Sequence, residues 1–136
     1  MDIAKLCGEM NALRASDLFI SVGKPVAARI VDIVKEVGPD VVTVADIESF
    51  FASHCPPGTG ERLVQQRDVD LGVALQEGER FRLNLYYQRG KPCLAIRKVP
   101  TGDLDFADLH IPAAVRALAE LARGLVLITG STGTGK

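Results

Sequence analysis

The sequence has little of several features that would define a class of protein at once. Its three cysteines, Cys7, Cys55 and Cys93, are scattered, which predicts reduced thiols in a cytoplasmic protein and not a disulfide framework. Its two histidines, His54 and His110, lie in no cluster of further ligands, so we predict no metal site. No apolar run resembles a signal peptide or is long enough to cross a bilayer, and we therefore expect no membrane insertion.

An excess of one charge is also absent. The 136 residues carry 16 basic and 17 acidic side chains, a net charge of −1, which argues against a general affinity for nucleic acid or anionic lipid. Local basic patches remain compatible with this balance. Hydrophobic residues make up 47% of the chain, which is enough for a domain with a real core.

What is present is a short apolar run followed by glycines at the end of the chain. The run 125–129 has the length and β-branched content of a buried parallel strand. The residues after it fit G-x-x-x-x-G-K, in which glycines let several backbone N–H groups point at one phosphate and the lysine adds a charge. A glycine-rich turn arising by chance is the alternative. We therefore predict a phosphate-binding loop formed by Gly130, Ser131, Thr132, Gly133, Thr134, Gly135 and Lys136.

The sequence stops at the lysine of this motif. The hydroxyl residue that would follow and ligate Mg²⁺, and the acidic elements that would come later, are not in it. We expect the chain to be the front part of a nucleotide-binding protein and to hydrolyse no ATP by itself.

Periodicity predicts helices and strands over the first hundred residues. Helices are expected after Asp2, after Thr43, where Asp46 completes a capping box, and over 61–66. Strands are expected over 15–23, 26–30 and 33–37, with Gly38-Pro39-Asp40 breaking the third. Alternation over 68–75, 79–88 and 92–99 predicts an antiparallel meander with one wet face.

Pro100-Thr101-Gly102-Asp103 is the predicted domain boundary. Residues 1–99 form one α+β unit in this interpretation, and residues 100–136 are a linker and the start of a second domain. A helix is expected from Pro112 to Gly124, with Val115 and Leu118 on its apolar face.

Arginines give a second indication of function. Arg80 and Arg82 share the wet face of one predicted strand, and Arg97 lies on the next. An isolated pair of this kind is usually a solvated face, but beside a phosphate loop a guanidinium fork suits a phosphate or a transferring phosphoryl group. We predict that Arg80 and Arg82 are catalytic.

Several stretches together resemble the type IV pilus retraction ATPases (PilT-like proteins), within the secretion and pilus motor ATPases. Each stretch alone is weak, but their order and spacing are similar to the family over nearly the whole chain. The first of them lies close to Met1, as in retraction ATPases. The stretches are Ala15-Ser16-Asp17-Leu18, Gly23-Lys24-Pro25 with Arg29, Arg80-Phe81-Arg82-Leu83-Asn84, Ile96-Arg97-Lys98-Val99-Pro100, and Arg123-Gly124-Leu125-Val126 leading into the loop.

The resemblance implies an N-terminal PAS-like domain, with a largely antiparallel sheet and flanking helices, joined to a RecA-like ATPase domain. Of the second domain, only the first helix, the first strand and the phosphate loop are here. It also implies ATP and Mg²⁺ as cofactors of the full-length protein, a homo-hexamer, and a cytoplasmic location at the inner-membrane platform of the pilus machine. The implied activity is ATP hydrolysis coupled to pilus retraction and twitching motility. The resemblance further implies that Arg80 and Arg82 reach toward the nucleotide phosphates and that Arg97 helps to bind the nucleotide.

The chain also departs from the family pattern. Phe19 stands where the family usually has histidine, and Val31-Asp32 stands where it usually has Asp-Gly. These departures leave open a pilus-extension or type II secretion ATPase. Two other interpretations also remain: a non-enzymatic PAS-like interaction module, and an unrelated kinase or GTPase with a phosphate loop. The second is disfavoured by the long α+β stretch before the loop.

Overall fold

The structure is a computed structural model that describes residues 1–75, 78–100, 106 and 109–131. The chain divides into two compact units, Met1–Thr101 and Gly102–Lys136. The elements in chain order are α1 (Ile3–Glu9), β1 (Ala15–Ser21), β2 (Pro25–Ile30), β3 (Ile33–Val41), α2 (Val44–His54), α3 (Thr59–Gln66), β4 (Asp68–Ala74), β5 (Arg80–Gln88), β6 (Lys91–Val99) and α4 (Ala113–Ala119).

The first unit is built on one antiparallel sheet. Its six strands lie in the order β3-β2-β1-β6-β5-β4, so β1 and β6, which are far apart in sequence, pair at the centre. Hairpins connect β1 to β2, β2 to β3, β4 to β5 and β5 to β6. The predicted α+β class and the antiparallel meander over β4, β5 and β6 are confirmed.

Strict alternation places the core on one face of the sheet. Leu18 of β1, Ile96 of β6 and Leu83 of β5 lie opposite one another and are completely buried. The three helices of this unit add Ile3, Cys7, Ile47, Phe50 and Leu63 to this core, and Met10, directly after α1, is buried with them. Because helices cover this face, the opposite face is left for polar residues.

Helix α2 begins at the capping box that the sequence predicts. The Asp46 backbone N–H donates to the Thr43 hydroxyl, and the Thr43 backbone N–H donates to the Asp46 carboxylate at 2.7 Å. The amino group of Met1 also contacts Asp46. Hydrogen bonds from that amino group and from Thr43 lower the pKa of Asp46 to about 2. The first turn of α2 is thereby tied to the start of α1.

One predicted strand boundary is wrong. Strand β3 does not stop at Gly38-Pro39-Asp40 but continues to Val41. Gly38 has φ +82°, and the pairing register with β2 shifts between Pro25 and Ala27, as in a bulge. Proline is tolerated there because β3 is an edge strand.

The second unit differs from its prediction in two ways. Helix α4 ends at Ala119, five residues before Gly124. The run 125–129, predicted as a buried parallel strand, is not a strand, and Leu125 is 84% exposed. A buried parallel strand needs a neighbouring strand to pair with and cover on both faces, and the described part of this unit contains no other strand.

Candidate functional site

A row of charged side chains crosses the open face of the sheet. Pairing places Arg29 of β2 opposite Asp17 of β1, Asp17 opposite Arg97 of β6, and Arg97 opposite Arg82 of β5. Residues that are directly opposite point to the same side of a sheet, so four consecutive strands each contribute one charge. We call Arg29, Asp17, Arg97 and Arg82 the arginine row.

Asp17 is the fixed centre of the arginine row. Its side chain is only 8% exposed, and it accepts hydrogen bonds from Arg97 Nε at 2.8 Å and from Ser16 Oγ at 2.8 Å. Arg29 Nε lies 3.2 Å from its other oxygen. Burial by itself would raise the pKa of Asp17, but these hydrogen bonds and the two guanidinium charges outweigh burial, and the pKa is lowered. Asp17 therefore stays ionised and orients two arginines.

Arg82 is held by a different carboxylate. Its Nε and Nη2 donate to the two oxygens of Asp70 at 3.2 and 2.8 Å, which is the bidentate geometry of a strong arginine–carboxylate pair. This contact lowers the pKa of Asp70 and raises the pKa of Arg82. Both side chains are about half exposed or more, so solvent screens the pair and its contribution to stability is small.

The arginine row lines an open hollow of about 330 Å³. Three arginines and two aspartates in its lining leave one net positive charge. The Arg29 guanidinium also lies 5.4 Å from the centre of the Phe19 ring. Fixed guanidinium groups with a net positive charge suit an anion, and phosphate above all, because of their planar donor fork. The charged and amide side chains of the lining are Asp17, Arg29, Asp70, Arg82, Asn84 and Arg97.

The predicted site residues are brought together only in part. Arg82 and Arg97 are direct cross-strand partners in the hollow. Arg80 lies one step along the same face, opposite Val99, and lines a neighbouring hollow of about 390 Å³ together with Arg82. The Arg80 side chain is exposed and forms no hydrogen bond or ion pair with a described residue.

The predicted phosphate loop lies mostly outside the described residues. Gly130 and Ser131 are described, whereas Thr132, Gly133, Thr134, Gly135 and Lys136 are not. Within the described ranges, no three histidine, cysteine or acidic residues are grouped as metal ligands. No helix in these ranges is long and apolar enough to span a membrane.

Three residues of the site carried no functional role in the sequence analysis: Asp17, Arg29 and Asp70. Asp17 and Arg29 stood in stretches that carry the family resemblance, but nothing local says that they meet. Their pairing depends on which strands are neighbours, and β1 contacts β6 across some eighty residues of chain.

The fold and the arginine row together define a class: an α+β domain that carries a row of arginines on the open face of its sheet. Comparison with known proteins makes this class more specific. No protein-family model matches the chain. Two Pseudomonas aeruginosa proteins match all of it, the type IV pilus ATPase PilU at 26% identity and the type IV pilus retraction ATPase PilT at 25%. The chain spans 36% of PilU and 40% of PilT.

Solved structures give the same result. A crystal structure of the pilus retraction motor PilT with bound ADP superposes on the whole chain with a TM-score of 0.84 and 31% identity, and the chain covers 40% of it. The Legionella pneumophila ATPase DotB matches 98% of the chain with a TM-score of 0.79 at 21% identity, which supports the fold alone. The chain is a homologue of the PilT and PilU type IV pilus ATPases and corresponds to their N-terminal part.

Proposed function

We propose that this chain is the N-terminal part of a hexameric motor ATPase that couples ATP hydrolysis to type IV pilus retraction and twitching motility. Support comes from the full-chain similarity to PilT and PilU, from the PilT structure solved with ADP, and from the arginine row. Because the chain spans well under half of these relatives, the activity is a proposal for the longer ATPase.

The proposed organisation is a PAS-like domain over residues 1–99, followed by a linker and the start of a RecA-like domain over 100–136. The strand order β2-β1-β6-β5-β4, with β3 added at one edge, supports the first part of this assignment. The proposed setting is the cytoplasm, at the inner-membrane platform of the pilus machine, with the homo-hexamer as the working assembly.

In the proposed function the arginines of the first unit contact nucleotide phosphates, and residues 130–136 are proposed separately as a phosphate-binding loop. Arg97 has the most donors available for a phosphate. It donates to Asp17 through Nε alone, and its two terminal NH₂ groups make no hydrogen bond to a described residue. Arg82 donates to Asp70 through both Nε and Nη2, so it would have to share these donors or release Asp70 in order to bind a phosphate. Arg80 adds an exposed charge beside them.

Mg²⁺ would arrive with ATP and neutralise charge on the phosphates. We assign it no ligand among the described residues. The contribution proposed for this part of the chain is therefore positioning and charge: fixed donors that meet the phosphates without rearranging.

The observation that carries the proposal is that Asp17 fixes Arg97 beside Arg82 in a hollow open to a ligand. The test is ATP turnover by the longer ATPase that contains this chain. Arg82→Ala, Arg97→Ala and Lys136→Ala should each lower turnover by about 10²-fold, because each removes a charge that contacts phosphate. Arg62→Ala is the matched control, since Arg62 is an exposed arginine of α3 outside the arginine row.

Circular dichroism should show the same fold for all four variants. In cells, the three site variants should keep their surface pili and lose twitching, whereas loss of the pili would indicate an extension motor. Turnover like that of the unaltered ATPase in both arginine variants would make the arginine row a solvated surface and contradict the proposal.

A further inference from the structure

A second group of positive charges lies at the end of the sheet, away from the arginine row. Two turns meet there, the β1–β2 turn with Gly23 and Lys24, and the β5–β6 turn with Arg89 and Gly90. They are neighbours because β1 pairs with β6, with Ser21 opposite Cys93.

These turns enclose an open hollow of about 330 Å³. Its charged lining residues are Lys24, Arg89 and Lys91, and its polar lining includes the Ser21 hydroxyl and the Gln88 amide. We call the three cations and this space the basic hollow. Its lining contains no aspartate or glutamate, so its charge is +3, against +1 for the hollow at the arginine row.

The three cations are also unpaired. Among the described residues, none of Lys24, Arg89 and Lys91 forms an ion pair, whereas Arg29, Arg82 and Arg97 all do. Asp68 pairs with Tyr86 near this end of the sheet, but its carboxylate accepts a hydrogen bond from Asn84 and does not line the hollow. Converging like charges repel one another, and a multiply charged anion would remove that repulsion.

The backbone of the β1–β2 turn lies directly against one of these charges. Gly23 has φ +85°, and a Cβ at this position would lie 3.6 Å from Lys91 Nζ, so the ammonium group lies over the bare glycine. The Gly23 N–H donates to Val42 O at 2.9 Å and the Lys24 N–H donates to Ser21 O at 3.1 Å. The turn that carries Lys24 is therefore fixed against both β1 and the residue after β3.

We propose that the basic hollow binds a small, multiply charged phosphate-type oxyanion of the size of pyrophosphate. The Arg89 guanidinium offers a planar fork for two oxygens, and the two lysines supply point charges. An acidic peptide would fit less well, because the three cations line a single hollow of about 330 Å³. The proposal involves no residue of the arginine row, so it does not depend on the proposed ATPase function.

The test is an NMR titration of the 136-residue chain with sodium pyrophosphate at constant ionic strength. The amide signals of Gly23 and Gly90 should shift and saturate, with a dissociation constant on the order of a millimolar or below. Lys24→Glu and Arg89→Gln should each weaken binding by about three- to tenfold, and raised salt should weaken it further. Arg82→Ala, which alters only the arginine row, and Lys5→Glu at an exposed position of α1 should leave these shifts unchanged.

Shifts that do not saturate, or that persist in Lys24→Glu and Arg89→Gln, would overturn the proposal. So would tighter binding of a tetra-aspartate peptide than of pyrophosphate, since that would make the hollow a peptide site. Shifts that are lost in Arg82→Ala and kept in Lys24→Glu would assign the anion to the arginine row and leave the basic hollow without a ligand. Lys24→Glu and Lys5→Glu make the same charge reversal, but only Lys24 lines the basic hollow. Lys5→Glu is therefore a matched control for charge reversal.

Discussion

Two stretches of this chain contain leucine and isoleucine at nearby positions, and these side chains have opposite environments. Leu94 and Ile96 of β6 are completely buried at the centre of the sheet. Leu127 and Ile128 in the second unit are 76% and 63% exposed and belong to no strand. The difference does not lie in the residues but in their neighbours, because β6 has β1 on one side and β5 on the other.

The comparison shows what a strand needs besides apolar side chains. Each strand residue has a backbone donor and acceptor that must be paired, and an antiparallel meander supplies partners from the next hairpin. A parallel strand obtains its partners only through crossover connections. Each strand of the first unit therefore has a partner strand in its sheet. The run 125–128 has the sequence pattern of a buried strand, but the described residues around it include no strand that could pair with it.

The largest expected effect tests this comparison directly. Leu83→Ala in β5 should lower the free energy of unfolding by about 3 to 5 kcal/mol, because it leaves a cavity among fully buried side chains. Leu127→Ala makes the same chemical change at an exposed position and should alter it by less than about 0.5 kcal/mol. Urea unfolding of the chain followed by circular dichroism measures both. Equal losses would mean that the second unit buries its apolar run in solution.

Most of the first unit could be predicted from its sequence, because its strands alternate clearly between apolar and polar residues and a helix start is marked by capping residues. The alternation of Phe81, Leu83 and Leu85 gives β5, and Thr43 with Asp46 marks the start of α2. What could not be predicted depends on tertiary structure. The passage of β3 through Gly38 and Pro39 is possible because β3 lies at the edge of the sheet, and strand order is not a local property of the sequence.

At the candidate site, too, the face of the sheet on which a residue lies could be predicted, whereas its cross-strand partners could not. The sequence places Arg80 and Arg82 on the wet face, and the structure agrees. The partners of the arginines could not be inferred, because Asp17 reaches Arg97 only through the pairing of the first strand with the last. The family resemblance named the stretch that holds Asp17 and gave it no role.

A second prediction concerns Asp17, the buried carboxylate of the arginine row. Asp17→Asn should lower the free energy of unfolding by about 1 to 2 kcal/mol at pH 7, because Arg97 and Arg29 lose a charged acceptor while remaining partly solvated. Asp70→Asn removes the carboxylate of an exposed ion pair and should lower the free energy of unfolding by less than Asp17→Asn. Both are measured by chemical unfolding.

The pH dependence of Asp17→Asn sharpens this prediction. The pKa of Asp17 is lower in the folded chain than in the unfolded chain, where it is about 3.9. The ionised Asp17 therefore contributes its full share to the free energy of unfolding above about pH 3.9. That contribution is lost as the pH falls through the lower pKa of the folded chain. The stability difference between the unaltered chain and Asp17→Asn should be constant near pH 7 and shrink below about pH 4. A difference that stays constant down to pH 2 would point to packing and not to charge.

The smallest expected effect compares two hairpin turns. Val31 and Asp32 connect β2 to β3 with φ +47° and +66°, while Arg89 and Gly90 connect β5 to β6 with φ +50° and +75°. Both are two-residue turns that need positive φ at each position, which glycine adopts freely and a β-branched residue does not. Val31 is also 79% exposed, so its side chain gains little from packing.

Val31→Gly should therefore raise the free energy of unfolding by about 0.5 to 1 kcal/mol, because relief of the strained φ outweighs the extra freedom of glycine in the unfolded chain. Gly90→Ala should lower it by about 1 kcal/mol, since it introduces a Cβ at positive φ in the matching turn. Thermal and urea unfolding of both variants measure the two effects. If Val31→Gly proved destabilising, the entropy that glycine adds to the unfolded chain would exceed the strain of the turn, and the two hairpins would differ in more than their residues.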